Sequence, residues 1–118
     1  MLYEAHGITR FVVVCGYVDL RKGVQGLAQI LEGNYALNPF EQKTMFLFCG
    51  KRGDRFKALV WEGNGFLMLY KKLENGTLRW PRTPQEAVEL SKHEFRLLLQ
   101  GLNPVQPMVK EANPTTAF

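Results

Sequence analysis

Acidic side chains that could assist phosphoryl transfer are few and scattered in this chain of 118 residues. Such chemistry needs two or three carboxylates that converge on Mg²⁺. Asp54, Glu62 and Glu74 each border a predicted turn, where acidic side chains are usually solvated. Asp19 follows a glycine turn at a position typical of a helix N-cap. We therefore predict no metal, no cofactor and no catalytic residue.

The cysteines and histidines also lack a catalytic arrangement. Cys15 and Cys49 do not have the paired spacing of a zinc site and are too few for a disulfide scaffold, so we interpret them as buried thiols. His6 lies near the N-terminus and His93 in the first turn of a predicted helix, with no nucleophilic partner at a recognisable spacing. The sequence thus predicts a protein that is not an enzyme.

The distribution of charge is more informative than any of these groups. The chain carries 15 Lys and Arg against 11 Asp and Glu, a net charge of +4. Residues 43 to 82 hold nine basic and three acidic side chains, a net +6, whereas the rest of the chain has six basic and eight acidic ones, a net −2. A local basic excess suits a polyanionic partner, because Lys and Arg neutralise phosphates.

Predicted strands joined by tight turns must position these cations. Residues 44–49, 55–61 and 66–73 are rich in β-branched and aromatic side chains, and the turns between them contain the Gly or Asn that positive φ angles favour. A fourth strand is predicted over residues 77–80. The pattern predicts an antiparallel meander.

The side chains of this meander should alternate between two faces. One face is apolar apart from Lys71 and is typical of a core: Phe56, Ala58, Val60, Leu67, Leu69, Leu73, Leu78 and Trp80. The opposite face mixes cations with large apolar groups: Arg55, Lys57, Leu59, Trp61, Phe66, Met68, Tyr70, Lys72 and Arg79. In this register Arg79 lies beside Lys72, and the two repel each other unless an anion lies between them.

The basic and aromatic face suggests two functions. It suits nucleic acid, because cations neutralise phosphates and aromatic rings stack on exposed bases. The residues predicted to bind nucleic acid are Lys51, Arg52, Arg55, Lys57, Tyr70, Lys72 and Arg79. Alternatively the face contacts a protein, either a second copy or another partner, through Trp61, Phe66 and Met68. Both alternatives remain open at this point.

Elements on either side of the meander complete the predicted fold. Residues 8–15 form an apolar inner strand, and a helix with apolar positions between residues 20 and 31 follows, capped by Asp19. Ser91 and Glu94 form a capping box that begins a helix over residues 92–100. The fold class is α+β, an antiparallel β-meander with an N-terminal strand–helix unit and a short C-terminal helix, and both helices lie on one sheet face. The first strand should run parallel to one meander strand.

Domain organisation and location follow from composition. We predict a single α+β domain over residues 1–102 and a loosely attached, Pro-containing tail over residues 103–118. No apolar run approaches the roughly 20 residues that span a bilayer, and the N-terminus does not resemble a signal peptide. We expect a cytoplasmic protein that does not contact a membrane.

Several ordered sequence blocks together form a specific pattern. They are GYVDLRKG at 16–23, NPF at 38–40, KRGDRFK at 51–57, WEGNGF at 61–66 and YKKLE at 70–74, followed by Trp80-Pro81. Together they resemble the insertion-sequence-66 accessory proteins, the TnpB or second-open-reading-frame family. The matching polar and aromatic residues are Asp19, Arg21, Lys22, Arg52, Asp54, Lys57, Trp61, Tyr70 and Lys71.

This resemblance implies a bacterial accessory role in transposition. It implies that the protein is encoded beside a larger transposase that carries the catalytic acids. The implied partners are the transposase and the DNA of the element.

Overall fold

The computed structural model describes residues 7–82 and 86–100, which contain five strands and two helices. In chain order they are β1 (Arg10–Val14), α1 (Val24–Tyr35), β2 (Thr44–Cys49), β3 (Arg55–Trp61), β4 (Phe66–Lys72), β5 (Ala87–Leu90) and α2 (Lys92–Leu99). Neither helix has the length and apolarity needed to cross a membrane. The predicted tail at 103–118 lies outside the described residues.

The strands form one mixed sheet in the order β4-β3-β2-β1-β5. The antiparallel meander β2-β3-β4 is confirmed. The predicted parallel pairing of the first strand is also confirmed, because β1 pairs parallel with β2 and α1 forms the crossover between them. β5 pairs antiparallel with the other side of β1. The sheet is therefore mixed and larger than the predicted meander, because β1 lies inside it between β2 and β5.

The fourth meander strand predicted at residues 77–80 is also wrong. Leu78 and Trp80 are buried as expected, but the segment does not pair with β4. The N–H of Leu78 donates to the carbonyl of Gly53 at 2.7 Å, and the indole N–H of Trp80 donates to the carbonyl of Val14 at 2.8 Å. A buried indole needs such a partner, and these bonds turn the segment away from β4.

The two helices cover opposite faces of the sheet, so the prediction that they share a face was wrong. In α2, the ring of Phe95 stacks on Phe11 with a centroid distance of 4.3 Å. In α1, Leu27 and Leu31 pack in the other core cluster with Val12, on the opposite face of β1. Because β1 and β2 are apolar on both faces, both faces require cover.

The helix ends differ in how they are capped. The capping box of α2 is confirmed, with the Glu94 carboxylate accepting from the N–H of Ser91 at 2.7 Å and the Ser91 hydroxyl accepting from the N–H of Glu94 at 3.1 Å. Asp19 does not cap α1, which begins later, after Gly23. The Asp19 carboxylate instead accepts from the N–H of Arg21 at 3.0 Å and so holds the turn that precedes the helix.

Candidate nucleic-acid interface

The register of β3 and β4 confirms the predicted grouping of side chains on their two faces. It places Arg55 opposite Lys72, Lys57 opposite Tyr70, Leu59 opposite Met68 and Trp61 opposite Phe66. The apolar set on the other face, which includes Phe56, Ala58 and Val60, belongs to the core that α2 covers. The alternation in the sequence was sufficient to sort these residues.

The basic and aromatic face is nevertheless not one open surface. Leu59, in the middle of β3, is fully buried in the cluster that α1 covers, and Phe66 and Met68 are half-buried against the same cluster. Because the cluster with α1 covers the middle of this face, the face is divided into two parts. We call Arg55, Lys57, Tyr70 and Lys72 the basic end, and Trp61 with Phe66 the aromatic end.

At the basic end, the segment that joins β1 to α1 folds beside β3 and β4 and forms a cleft of about 870 Å³. The N–H of Val18 donates to the carbonyl of Cys49 at 2.9 Å, and the Lys57 ammonium donates to the carbonyl of Lys22 at 3.2 Å. A Cβ at Gly50 would lie 3.0 Å from Cδ1 of Leu20, so glycine permits this close approach. The cleft is lined by Tyr17, Val18, Asp19, Leu20, Arg21, Gly50, Lys51, Arg52, Arg55, Lys57, Met68 and Tyr70.

Five cations line this cleft: Arg21, Lys51, Arg52, Arg55 and Lys57. Lys51 and Arg52 lie in the turn between β2 and β3 and are exposed. This turn contains Gly53, whose φ of 78° is a conformation that favours glycine. Five of the seven predicted nucleic-acid residues are thus brought together at the cleft. They are Lys51 and Arg52 of the turn, Arg55 and Lys57 of β3, and Tyr70 of β4.

Two carboxylates orient two of these cations. Asp54 accepts from Nε of Arg55 at 2.9 Å, with both side chains largely buried, and Asp19 accepts from the Arg21 guanidinium at 2.9 Å. The hydrogen bonds from Arg21 lower the pKa of Asp19 to about 2. The hydrogen bond to Asp54 raises the pKa of Arg55, with a smaller contribution from the Tyr70 hydroxyl. Arg55 is therefore oriented at the cleft, whereas the Arg21 side chain pairs with Asp19 but stays 91% exposed.

Two tyrosines line this cleft and remain about half exposed. Tyr17 is 56% exposed and Tyr70 is 53% exposed. Tyr70 was predicted from strand alternation, whereas Tyr17 and Arg21 were not predicted as binding residues. Their segment is irregular and has no periodicity from which its position could be inferred, although the block at 16–23 that carries the family resemblance contains both residues.

The two remaining predicted nucleic-acid residues, Lys72 and Arg79, do not line the cleft. Lys72 is exposed at the end of β4, across from Arg55. Arg79 does not lie beside Lys72 as predicted, because its segment leaves the sheet. It lines a separate depression with Thr77, Leu78, Trp80 and Arg82.

The aromatic end brings together two of the three residues predicted to bind a protein partner. Phe40 covers Trp61 edge-on with ring centroids 4.9 Å apart, and its centroid lies 5.3 Å from that of Phe66. Trp61 and Phe66 are themselves 4.9 Å apart. Phe40 remains 46% exposed. Met68, the third predicted residue, lines the cleft instead.

The thiols are placed as predicted. Cys15 and Cys49 are both buried and unpaired, and burial raises the pKa of Cys49 to about 11. Within residues 7–82 and 86–100, no group of three or more His, Cys, Asp and Glu side chains could hold a metal ion.

Comparison with known proteins relates the chain to one family. The family model described as "IS66 Orf2 like protein" matches residues 9–108. The uncharacterized protein y4jC of Sinorhizobium fredii (strain NBRC 101917 / NGR234) is 33% identical over 103 residues, which cover 87% of this chain and 86% of the relative. Protein y4hO of the same strain is 29% identical over 94 residues, covering 80% and 81%. No solved structure gives a significant match. Because the family match spans most of its length, the chain belongs to the IS66 Orf2-like family of insertion-sequence proteins.

Proposed function

We propose that the protein is a non-catalytic accessory factor of a bacterial insertion-sequence transposition system, and that it contacts the DNA of the element in the cytoplasm. The observation that carries this proposal is the cleft at the basic end, where five cations and two exposed tyrosines converge. Family membership supplies the transposition context. Its transposase partner, by the resemblance, carries the catalytic acids.

The electrostatics of the cleft support a polyanion as its ligand. Asp19 and Asp54 each neutralise part of the charge of an arginine, and Asp54 also holds Arg55 in place. Five cations against these two acids leave a net +3 around the cleft. Lys72, across from Arg55, extends the positive surface toward the end of β4. Phosphates that bind here displace counterions, which makes the affinity depend on salt.

Measuring DNA affinity against salt concentration tests the proposal. Fluorescence anisotropy with an oligonucleotide from the element end, offered both as duplex and as single strand, should show a steep loss of affinity between about 50 and 200 mM salt. Lys57→Glu should weaken binding, because it reverses a cation of the cleft. Lys71→Glu is the matched control, since Lys71 faces the other side of the same strand pair.

The two variants distinguish binding in the cleft from an effect of net charge. Binding that loses affinity with Lys57→Glu and keeps it with Lys71→Glu supports the cleft as the DNA site. Absence of binding to either form of DNA at about 50 mM salt would overturn the proposal. Equal losses for both variants would overturn the cleft as the DNA site, because they would indicate an effect of net charge alone.

A second candidate function is docking on the transposase or self-association through the aromatic end. The observation that favours it is Phe40, which caps Trp61 and Phe66 yet stays 46% exposed. Pull-down of the transposase of the same element tests it. Retention that survives nuclease treatment and is lost in Phe40→Asp supports docking, and retention abolished by nuclease argues for a DNA bridge. Sedimentation equilibrium with the same variant tests self-association.

A further inference from the structure

We infer, building on the proposed DNA contact, that the cleft binds an unpaired single strand whose bases stack on Tyr17 and Tyr70. Stacking on aromatic rings combined with cations along the backbone is the usual mode of single-strand binding. The inference concerns the class of nucleic acid and assigns a role to Tyr17.

The exposure of the two tyrosines is the first argument. Folded proteins bury most large aromatic side chains, and within the described ranges Tyr17, Phe40 and Tyr70 are the large apolar or aromatic groups that remain exposed. Two of these three line the same cleft. A half-exposed ring beside cations is available for a base.

The composition of the cleft lining is the second argument. Besides the cations, it contains the apolar side chains of Val18, Leu20 and Met68. Phosphates of a strand would pair with the cations, while bases turned out of the strand would meet apolar and aromatic groups. Bases of a duplex are stacked on each other and cannot reach such a surface.

The shape of the cleft is the third argument. Its volume of about 870 Å³ lies within the range of small-ligand pockets, roughly 300 to 1,000 Å³. No residue of α1 or α2 lines it, so it presents no helix for the major groove of B-DNA, the groove that admits an α-helix. A recess of this size suits a few nucleotides.

The backbone of Tyr70 is fixed in a regular strand. Tyr70 lies directly opposite Lys57 in the β3–β4 ladder. Because only its side chain has to be ordered when a base stacks on it, binding costs less conformational entropy than ordering a flexible loop.

Affinities for a single-stranded DNA oligonucleotide and for its duplex, measured with the full chain, test the inference. We expect the single strand to bind at least tenfold more tightly. Tyr17→Leu and Tyr70→Leu should each weaken single-strand binding by about tenfold and change duplex binding little. Tyr17→Phe and Tyr70→Phe should retain the affinity, because phenylalanine keeps the stacking face. Phe40→Leu is the control for an exposed aromatic outside the cleft.

A spectroscopic readout separates stacking from a loss of fold. A strand that carries 2-aminopurine should change its fluorescence when it binds the wild-type protein, and this change should disappear in Tyr70→Leu but persist in Tyr70→Phe. Circular dichroism melting of each variant identifies any that fail to fold. The phenylalanine variants keep the test decisive even if a leucine variant unfolds.

The possible failures are distinguishable. Duplex binding as tight as single-strand binding, with no effect of the leucine variants, overturns the single-strand inference and leaves the proposed DNA contact standing. No binding to either form overturns both. Tighter binding of a single-stranded RNA of the same sequence overturns the assignment to DNA while keeping the stacking site.

Discussion

The two ends of the β3–β4 face follow the same strand alternation but differ in how the rest of the chain covers them. At the aromatic end, Phe40 from the segment before β2 lies on Trp61 and Phe66. At the basic end, the segment at 17–21 folds beside the strands and leaves a cleft. One end is closed by ring packing, and the other is open to a ligand.

The chemistry of the side chains explains this difference. Aromatic rings at about 5 Å attract one another and exclude water. Cations repel one another, so the basic end cannot close on itself and its positive charges are held by oxygens instead. Asp19 holds Arg21, Asp54 holds Arg55, and the carbonyl of Lys22 accepts from Lys57. Alternation therefore determines the face, while the neighbouring loops determine whether that face is buried.

The largest expected effect is a loss of nucleic-acid affinity in the double variant Lys51→Glu/Arg52→Glu. Both residues are exposed at the cleft, so we expect the affinity at low salt to fall about 100-fold and the salt dependence to weaken by about two charges. Stability should change by less than about 0.5 kcal/mol, because the substitutions are on the surface. Anisotropy titrations at several salt concentrations, with urea unfolding alongside, measure both effects.

The matched control is Lys71→Glu/Lys92→Glu, which makes the same change in charge away from the cleft. Lys71 faces the α2 side of the sheet and Lys92 is exposed at the start of α2. An equal loss of affinity in this control would show that net charge, and not the basic end, determines binding.

The opposite pattern is expected for Trp61→Ala at the aromatic end. Burying a Trp contributes about 3 to 5 kcal/mol in a core, and Trp61 is half-buried. We therefore expect a loss of about 2 kcal/mol in the free energy of unfolding, measured by urea denaturation, and an unchanged affinity for nucleic acid.

Tyr70→Ala provides the reciprocal control on the same face, because an exposed ring should affect stability little. The comparison of the two ends would fail if Trp61→Ala abolished binding while the protein stayed as stable as the wild type.

How much of the fold could be predicted from the sequence depends on how far apart along the chain the interacting residues lie. The partition of β3 and β4 into faces was correct residue by residue, because it needs only alternation and a short turn. The helices were assigned to one face because nothing local distinguishes the faces of β1, which is apolar on both. The Trp80 indole bonds to Val14, 66 residues away, and this contact moved Arg79 away from the predicted site.

The candidate site was predictable where it lies on strands or on the tight turn between them, and unpredictable where it lies on the irregular segment between β1 and α1. Lys57 and Tyr70 followed from β3 and β4, and Lys51 and Arg52 from the turn between two predicted strands. Tyr17 and Arg21 reach the cleft only because residues 17–21 bond to the end of β2 through Val18. No periodic pattern in the sequence predicts that contact.

A smaller effect is expected for Phe40→Ala, which opens the aromatic end. Removing an aromatic partner at these distances should lower the free energy of unfolding by about 1 kcal/mol. It should also shift the tryptophan emission to the red, because Trp61 gains contact with water. Trp80 is buried elsewhere, so the same substitution in a Trp61→Phe background should produce no shift. A shift that persists there would show that Phe40 does not cover Trp61.

The smallest expected effect is a gain in affinity of about threefold in Asp19→Asn. The pKa of Asp19 is about 2, below its ordinary value of 3.8, because Arg21 donates hydrogen bonds to the carboxylate. The carboxylate is therefore charged at neutral pH, and its removal makes the cleft more positive and releases Arg21 toward a phosphate. Because the folded-state pKa is the lower one, the stabilisation from Asp19 is fully present above pH 3.8 and is lost as the pH falls through about 2. The difference in melting temperature between wild type and variant should accordingly be largest well above pH 3.8, shrink as the pH falls through about 2 and vanish below it. Weaker binding by the variant would contradict this expectation. It would mean that the orientation that Asp19 gives to Arg21 contributes more to binding than the negative charge of Asp19 takes away.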